Sequence, residues 1–401
     1  MRIAAEQPEA RRGLTRRAAL GGGLALTLAG CNTVGGDMPG DSASPGPSAP
    51  PANGPLVGQT MGTGAVRVGM VLPLTQNGGG SNPIGVSMRN AAQLAMDGFG
   101  APYITLMIVD DHSSADAATQ AVQSELGAGA QLILGPVFAN DVRAASAAAK
   151  SAGKPMIAFS TDVTVAAPGV YLLSFLIQGY VDRILQYAVS SGRKSFAIMA
   201  PQNDYGNVAS ERFEDQAGSL NAQVVVTARY APGQMAAAAQ QVGAVQGQIN
   251  ALFIPEQPDA MPAVAGALAA ASVKTQFLGT GVWNDPRVLK LPQMQGAWFS
   301  APDDAGFNAF AQRYRTKFNS DPARLATLAY DAVTLAAALA RNGAADPYNQ
   351  AALTSVSGFN GADGVFRFRA DGTNERGLAV MEIDDSAAKV ISPAPRSFAA
   401  G

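Results

Sequence analysis

Val66-Arg67-Val68-Gly69-Met70-Val71-Leu72-Pro73 is a short apolar run closed by a proline, and its kind recurs down the chain. Tyr103-Ile104-Thr105-Leu106-Met107-Ile108-Val109 runs into Asp110-Asp111. Gln131-Leu132-Ile133-Leu134 stops at Gly135-Pro136, and Pro155-Met156-Ile157-Ala158-Phe159 stops at Ser160. Near-continuous apolar character, rather than alternation, marks strands covered on both faces. Between them Met88, Ala91, Ala92, Ala95 and Met96 keep helical spacing, and helices are expected near 115–126 and over 141–152. Strand and helix in alternation predict a parallel sheet with helices on both sides. A second series follows in Ser195–Ala200, Gln223–Thr227, Ala251–Ile254 and Gln276–Leu278, with helices near 206–219, 235–246 and 258–271. Two successive α/β units imply two lobes, each presenting strand C-termini where ligands usually bind.

Composition narrows the chemistry. The 401 residues are 47% hydrophobic and 14% charged, enough apolar material for a large core and too little charge for a disordered chain. Twenty-eight Lys and Arg against 30 Asp and Glu give a formal charge of -2, so no electrostatic case for nucleic acid exists. One Cys excludes a disulfide framework or multi-cysteine metal site, and one His excludes two-histidine zinc motifs. No nucleophile–base pair can be assembled from this inventory, so an enzyme, a catalytic residue, a cofactor and a metal are all unexpected.

The N-terminal stretch reads as an address. Arg11, Arg12, Arg16 and Arg17 precede an apolar segment from Ala18 to Gly30, shorter than the about 20 residues a membrane-spanning helix needs. Basic, apolar and small-residue regions in that order describe an export signal over 1–30. Its end, Leu28-Ala29-Gly30-Cys31, looks like a lipobox, with Cys31 as the lipidated residue. Thr15-Arg16-Arg17-Ala18-Ala19-Leu20 also resembles a twin-arginine motif, which leaves the export route open. Removing 1–30 would take five Arg and two Glu, leaving 23 basic and 28 acidic residues. Anchoring would then rest on acyl chains, since no polybasic patch is present. Residues 31–65, rich in Pro, Gly and Ser, read as a flexible tether.

Several landmarks in fixed order resemble the leucine-binding group of type I periplasmic solute-binding proteins. They are Val68–Thr75, Arg89–Ala95, Leu134-Gly135-Pro136, Lys154–Thr161, Asn203-Asp204-Tyr205-Gly206, Arg229–Gly233, Ala329-Tyr330-Asp331-Ala332 and Phe359–Phe368. Ile157–Asp162 is closest in wording to the lipoproteins called penicillin-binding protein activators. The resemblance implies an α/β fold of two Rossmann-like lobes with parallel sheets joined by a hinge of three crossings. It implies a first lobe of 66–183 plus 303–350, with a helix over 323–341, and a second lobe of 184–302 plus 351–395. It also implies that two first-lobe loops, Pro136–Asn140 and Ser160–Asp162, hold a ligand carboxylate. Asn140 and Asp141 opening a helix, and Ser160 and Thr161 just past a strand end, suit that role; capping and turn roles are the alternatives. The group's second-lobe ammonium clamp falls near Gln257 and Gly281, neither of which carries charge. Glu256, Asp259 and Asp285 lie nearby as substitutes.

Other candidates are less sharply placed. Tyr205 follows a strand end and either reaches the cleft or simply opens a helix. Trp283 beyond the strand 276–278 either stacks on a ligand or is buried. Asp110-Asp111-His112 invites a metal reading, but the acids more readily cap the next helix. Gly78-Gly79-Gly80 lacks the Lys-Ser/Thr of a phosphate loop. The expected function is a lipid-anchored receptor outside the cytoplasm. It would trap an amino acid, amide or peptide between its lobes and deliver it to an ABC permease. The alternative is a penicillin-binding protein activator that regulates peptidoglycan synthesis by protein contact.

Overall fold

The computed structural model describes residues 54–99 and 101–398. The export signal, Cys31 and most of the expected tether lie outside that range. The tether's last residues do not: β1 (Gln59–Met61) pairs antiparallel with β3 (Ile104–Asp110) at the edge of the first sheet, and β3 lies next to β2 (Val66–Leu72). Arg67 reinforces this edge by donating to the Gly54 carbonyl at 2.6 Å. The folded part therefore starts by residue 54, before the expected boundary at 66. The glycines that made this segment look like a linker serve the edge: Gly62 has φ +76° and sits where a Cβ would meet the Ile104 carbonyl.

Helix α1 (Pro83–Asp97) joins β2 to β3. Asn82 caps it by accepting from the Ile84 N–H, and Met88, Ala91, Ala92 and Ala95 form its buried stripe. The chain continues through α2 (Ala115–Gly127), β4 (Leu132–Leu134), α3 (Ala139–Ser151), β5 (Met156–Ala158) and β6 (Val170–Leu172). The sheet order is β1-β3-β2-β4-β5-β6, parallel from β3 onward. Its C-terminal strand ends carry Asp110, Gly135 and Phe159 to one rim.

The second lobe opens with α4 (Ile177–Ser190), then β7 (Ser195–Pro201), α5 (Asp204–Ser219), β8 (Gln223–Tyr230), α6 (Met235–Val245) and β9 (Ala251–Phe253). It proceeds through α7 (Met261–Ala270), β10 (Gln276–Gly279), α8 (Pro286–Leu289) and β11 (Trp298–Ala301). The chain then returns to the first lobe with α9 (Asp304–Phe318), α10 (Ala326–Arg341), α11 (Gln350–Leu353) and the small antiparallel sheet β12 (Phe359–Gly361), β13 (Gly364–Phe368) and β14 (Asn374–Arg376). Finally β15 (Ala379–Asp384) adds antiparallel to β11 and β16 (Ala387–Ser392) antiparallel to β15, giving β16-β15-β11-β10-β9-β7-β8.

Packing moves two of the expected lobe boundaries. Val181, Ile184, Leu185 and Ala188 of α4 pack with Phe196, Phe213 and Phe253 of the second lobe, so the first crossing lies at 173–176 rather than at 183. Leu353, Phe366 and Phe368 pack with β2, β4 and α10, so the return crossing lies near Gly377 rather than at 350. In each case the apolar face of the element decides which core it joins. The first and third crossings are tied at one atom: the Ser174 carbonyl accepts from Asn374 Nδ2 at 2.8 Å and Arg376 Nε at 3.1 Å. No helix among the described residues is long and apolar enough to cross a membrane.

Candidate functional site

A cavity of about 380 Å³ lies where the crossings meet the two lobes. Thr161 and Arg324 reach it from the first lobe, Phe175 from the first crossing, and Tyr180, Tyr205 and Asn284 from the second lobe. Asp304, in the first turn of α9, completes the polar lining.

Tyr205 is placed by the start of α5. Asn203 Oδ1 accepts from the Gly206 N–H at 2.8 Å, which turns the chain from β7 directly into the helix. The Tyr205 hydroxyl then lies 2.5 Å from Thr280 Oγ1 at the end of β10, and burial raises its pKa above the usual tyrosine value. Gly206 makes the turn possible, because a Cβ there would overlap the Pro201 carbonyl. Gly206→Ala should therefore destabilise the lobe by about 1–3 kcal/mol and loosen Tyr205. Urea denaturation checks the first effect and tyrosine fluorescence the second.

The first-lobe loops divide their roles. Thr161 is exposed to the cavity, whereas Ser160 is buried and its Oγ accepts from the Asp162 N–H at 3.1 Å, a turn contact. Asn140 is exposed, lies inside α3 rather than capping it, and accepts from Arg143 at 2.9 Å. The first turn of α3 already holds a buried carboxylate, Asp141, whose pKa is raised by burial, so that helix end does not invite a further anion.

The second-lobe candidates change most. Trp283 is fully buried in the second core, with its indole N–H unpaired, and offers no ring face to the cavity. Gln257 does not line the cavity; its N–H donates to Glu256 Oε1 at 2.7 Å. Glu256 is buried and accepts from the Tyr230 hydroxyl at 2.5 Å. Asp259 pairs with Arg287, and Asp285 receives both Nε and Nη2 of the same arginine at 2.8 and 2.7 Å. Those hydrogen bonds hold the Asp285 carboxyl below its ordinary pKa. The space before Gly281 is filled by the Tyr180 ring, whose Cε1 lies 2.5 Å from where a Cβ would stand. Burial pushes the Tyr180 hydroxyl up to about 12.

Asp110 ties loops together, accepting from the Leu74, Thr75 and His112 N–H groups at 2.9, 3.2 and 2.9 Å, and His112 stays at the surface. Among the described residues no group of three His, Cys, Asp or Glu could hold a metal ion.

Two charged cavity residues escaped sequence reasoning, as did Phe175, Tyr180 and Asn284. Arg324 gives both Nη atoms to Asp363 at 2.8 and 2.7 Å and lies over the rings of Phe175 and Phe307, each 4.6 Å away. Asp304 accepts on both oxygens from Asn284 Nδ2, at 2.8 and 3.0 Å. Asp303-Asp304 reads in sequence only as a helix start, and Asp303 does cap α9 by accepting from the Ala305 N–H.

Residues 65–388 match the family model described as periplasmic binding protein. The chain belongs to that family. Its fold is that of solved relatives: a branched-chain amino acid ABC transporter protein from Rhodospirillum rubrum superposes with a TM-score of 0.72 at 19% identity, covering 82% of this chain and 100% of that one. The branched-chain amino acid substrate-binding protein of Streptococcus pneumoniae, in complex with isoleucine, gives 0.54 at 19% identity, over 82% and 99%. A solute-binding protein from Rhodopseudomonas palustris, in complex with 3,4-dihydroxybenzoic acid, gives 0.58 at 17% identity, over 82% and 98%. Among curated proteins, none matches this chain in sequence. As a periplasmic binding protein it works outside the cytoplasm, and the cavity at its crossings lies where closure of two lobes would enclose a solute.

Proposed function

We propose that this protein traps a small solute between its lobes for ABC-type uptake, from a lipid anchor at Cys31. The cavity carries this reading: it draws on both lobes and on two crossings, so a ligand touching all of them would stabilise a closed state over an open one. The isoleucine and dihydroxybenzoate complexes of its structural relatives support a small-molecule ligand. Free leucine is expected to bind above ~100 μM, about 5.5 kcal/mol, because Glu256, Asp259 and Asp285 are engaged by Tyr230 and Arg287.

Calorimetry against amino acids, amino-acid amides and dipeptides, with small-angle scattering to follow closure, tests the reading. A binder that closes the lobes and is weakened at least tenfold by Thr161→Val with Tyr205→Ala supports it. Binding unaffected by that double substitution would move the site elsewhere. The engaged clamp acids also leave room for the activator reading. Direct association with a penicillin-binding protein, in the absence of any solute response, would favour it.

A further inference from the structure

Formal charges in the cavity lining do not cancel. Three charged side chains reach it: Asp285, Arg324 and Asp304. Asp285 is paired with Arg287 through two hydrogen bonds, on an arginine that Asp259 shares. Arg324 is neutralised by Asp363, which is fully buried behind it. Asp304 has only the neutral amide of Asn284, and no Lys or Arg nitrogen lies within 4.0 Å of it among the described residues. Among the charged side chains of the lining, Asp304 is therefore the one without an ion-pair partner.

Donors for a carboxylate are scarce in the same space. Asn284 Nδ2 is taken by Asp304, and the charge of Arg324 is already balanced by Asp363, which takes one N–H from each Nη. Ser160 and Asn140 face away into their own loops, which leaves neutral hydroxyls such as that of Thr161. A carboxylate placed here would also face Asp304 at low dielectric. A cation meets the opposite conditions: one carboxylate without a counter-ion, already oriented by Asn284, beside the aromatic side chains of Tyr180 and Tyr205.

We infer that Asp304 is the anchor for a positively charged nitrogen, and that the preferred ligand is a monocation without a free α-carboxylate, such as an amino-acid amide or a peptide N-terminus. The inference rests on the solute-binding reading and narrows its ligand class. It also assigns the ammonium contact to a crossing residue in place of the uncharged Gln257 and Gly281.

Three compounds of one shape separate the charges: L-leucinamide (cation), L-leucine (zwitterion) and 4-methylpentanoate (anion). Calorimetry at pH 6 on the full chain should show leucinamide binding at least tenfold tighter than leucine, and no heat from 4-methylpentanoate. Asp304→Asn should erase the preference for leucinamide, whereas Asp304→Glu, which keeps the charge, should retain it. Loss of preference in both variants alike would assign Asp304 to packing and overturn the inference. Equal binding of leucine and leucinamide, or a preference that survives Asp304→Asn, would overturn it too, while leaving the solute-binding reading in place. If neither these compounds nor the wider panel bind or close the lobes, both the inference and that reading fail together.

Discussion

Arg324→Ala should cost about 3 kcal/mol of stability, and more than Asp363→Asn. The two residues form a bidentate pair, but they are not equally exposed: the Asp363 side chain has no solvent access, whereas that of Arg324 is 41% exposed in the cavity. Removing Arg324 strands a carboxylate that water cannot reach, and breaking buried pairs in this way costs several kcal/mol, here discounted for the half-exposed partner. Phe175 and Phe307 also lose the guanidinium that lies against them, at about 0.5–1 kcal/mol each. Asp363→Asn leaves a guanidinium that can turn to solvent in the cavity, so its loss should stay nearer 1–2 kcal/mol. Urea midpoints for both variants, and for the double variant Arg324→Ala with Asp363→Ala, measure the asymmetry. The double variant should be less unstable than the sum of the singles, because neither charge is left alone. Equal losses from the two single substitutions would show that Asp363 has other partners.

Stability should fall as pH rises from about 5 to about 7, which is the reverse of acid unfolding. Asp111 has no solvent access, and burial, aided by the charges of Asp141 and Asp110, pushes its carboxyl up to about 7. Burial likewise pushes Asp331 on α10 up to about 7 and Glu125 well above the glutamate range. In the unfolded chain these groups lose their protons near the ordinary value of 3.8, or 4.5 for Glu125, while the native chain holds them longer. Between those limits the native state binds more protons, so stability declines by up to ~1.4 kcal/mol per pH unit for each such group. The stability is fully present below the unfolded values and is lost as pH climbs toward 7. Below pH 4 the opposite slope takes over, because Asp110, Asp162 and Asp371 are held low by hydrogen bonds and lose that stabilisation when protonated. A maximum near pH 4 is the expected result. Asp111→Asn keeps an oxygen for the Ser113 N–H and removes the titration, so its urea midpoint should decline less steeply between pH 5 and pH 7. An unchanged slope in that variant would assign the pH dependence to other groups.

The cavity and the acid-rich rim share a physical theme. Asp111 and Asp141 each leave one buried oxygen unpaired, as do Asp331 and Glu125, and Arg376 leaves both Nη groups unpaired beside Phe175. Unsatisfied polar atoms in a core cost stability unless water or a partner reaches them.

The sequence by itself determined eight strands of the two sheets, β2 to β5 and β7 to β10. β2, β3, β4 and β5 were legible because strands covered on both faces must be apolar without interruption, and the helices between them because a buried stripe recurs every three or four residues. Asn203-Asp204-Tyr205-Gly206 announced a strand-to-helix turn for the same local reason. Only the tertiary structure decided that β1 belongs to the fold, since a Gly-rich edge strand owes its order to hydrogen bonds with β3, far along the chain. Only packing could assign α4 to the second lobe, because an apolar stripe states that a helix is buried without naming the sheet that buries it. Trp283 shows the same limit: its bulk requires burial, and whether core or cleft supplies it depends on the geometry of the turn 281–283 after β10. Asp304, Arg324 and Asp363 lie in three separate segments and acquire meaning only where the crossings bring them together. Periodicity is a property of neighbours in the chain, whereas charge compensation is a property of neighbours in space, and the candidate site rests on the second.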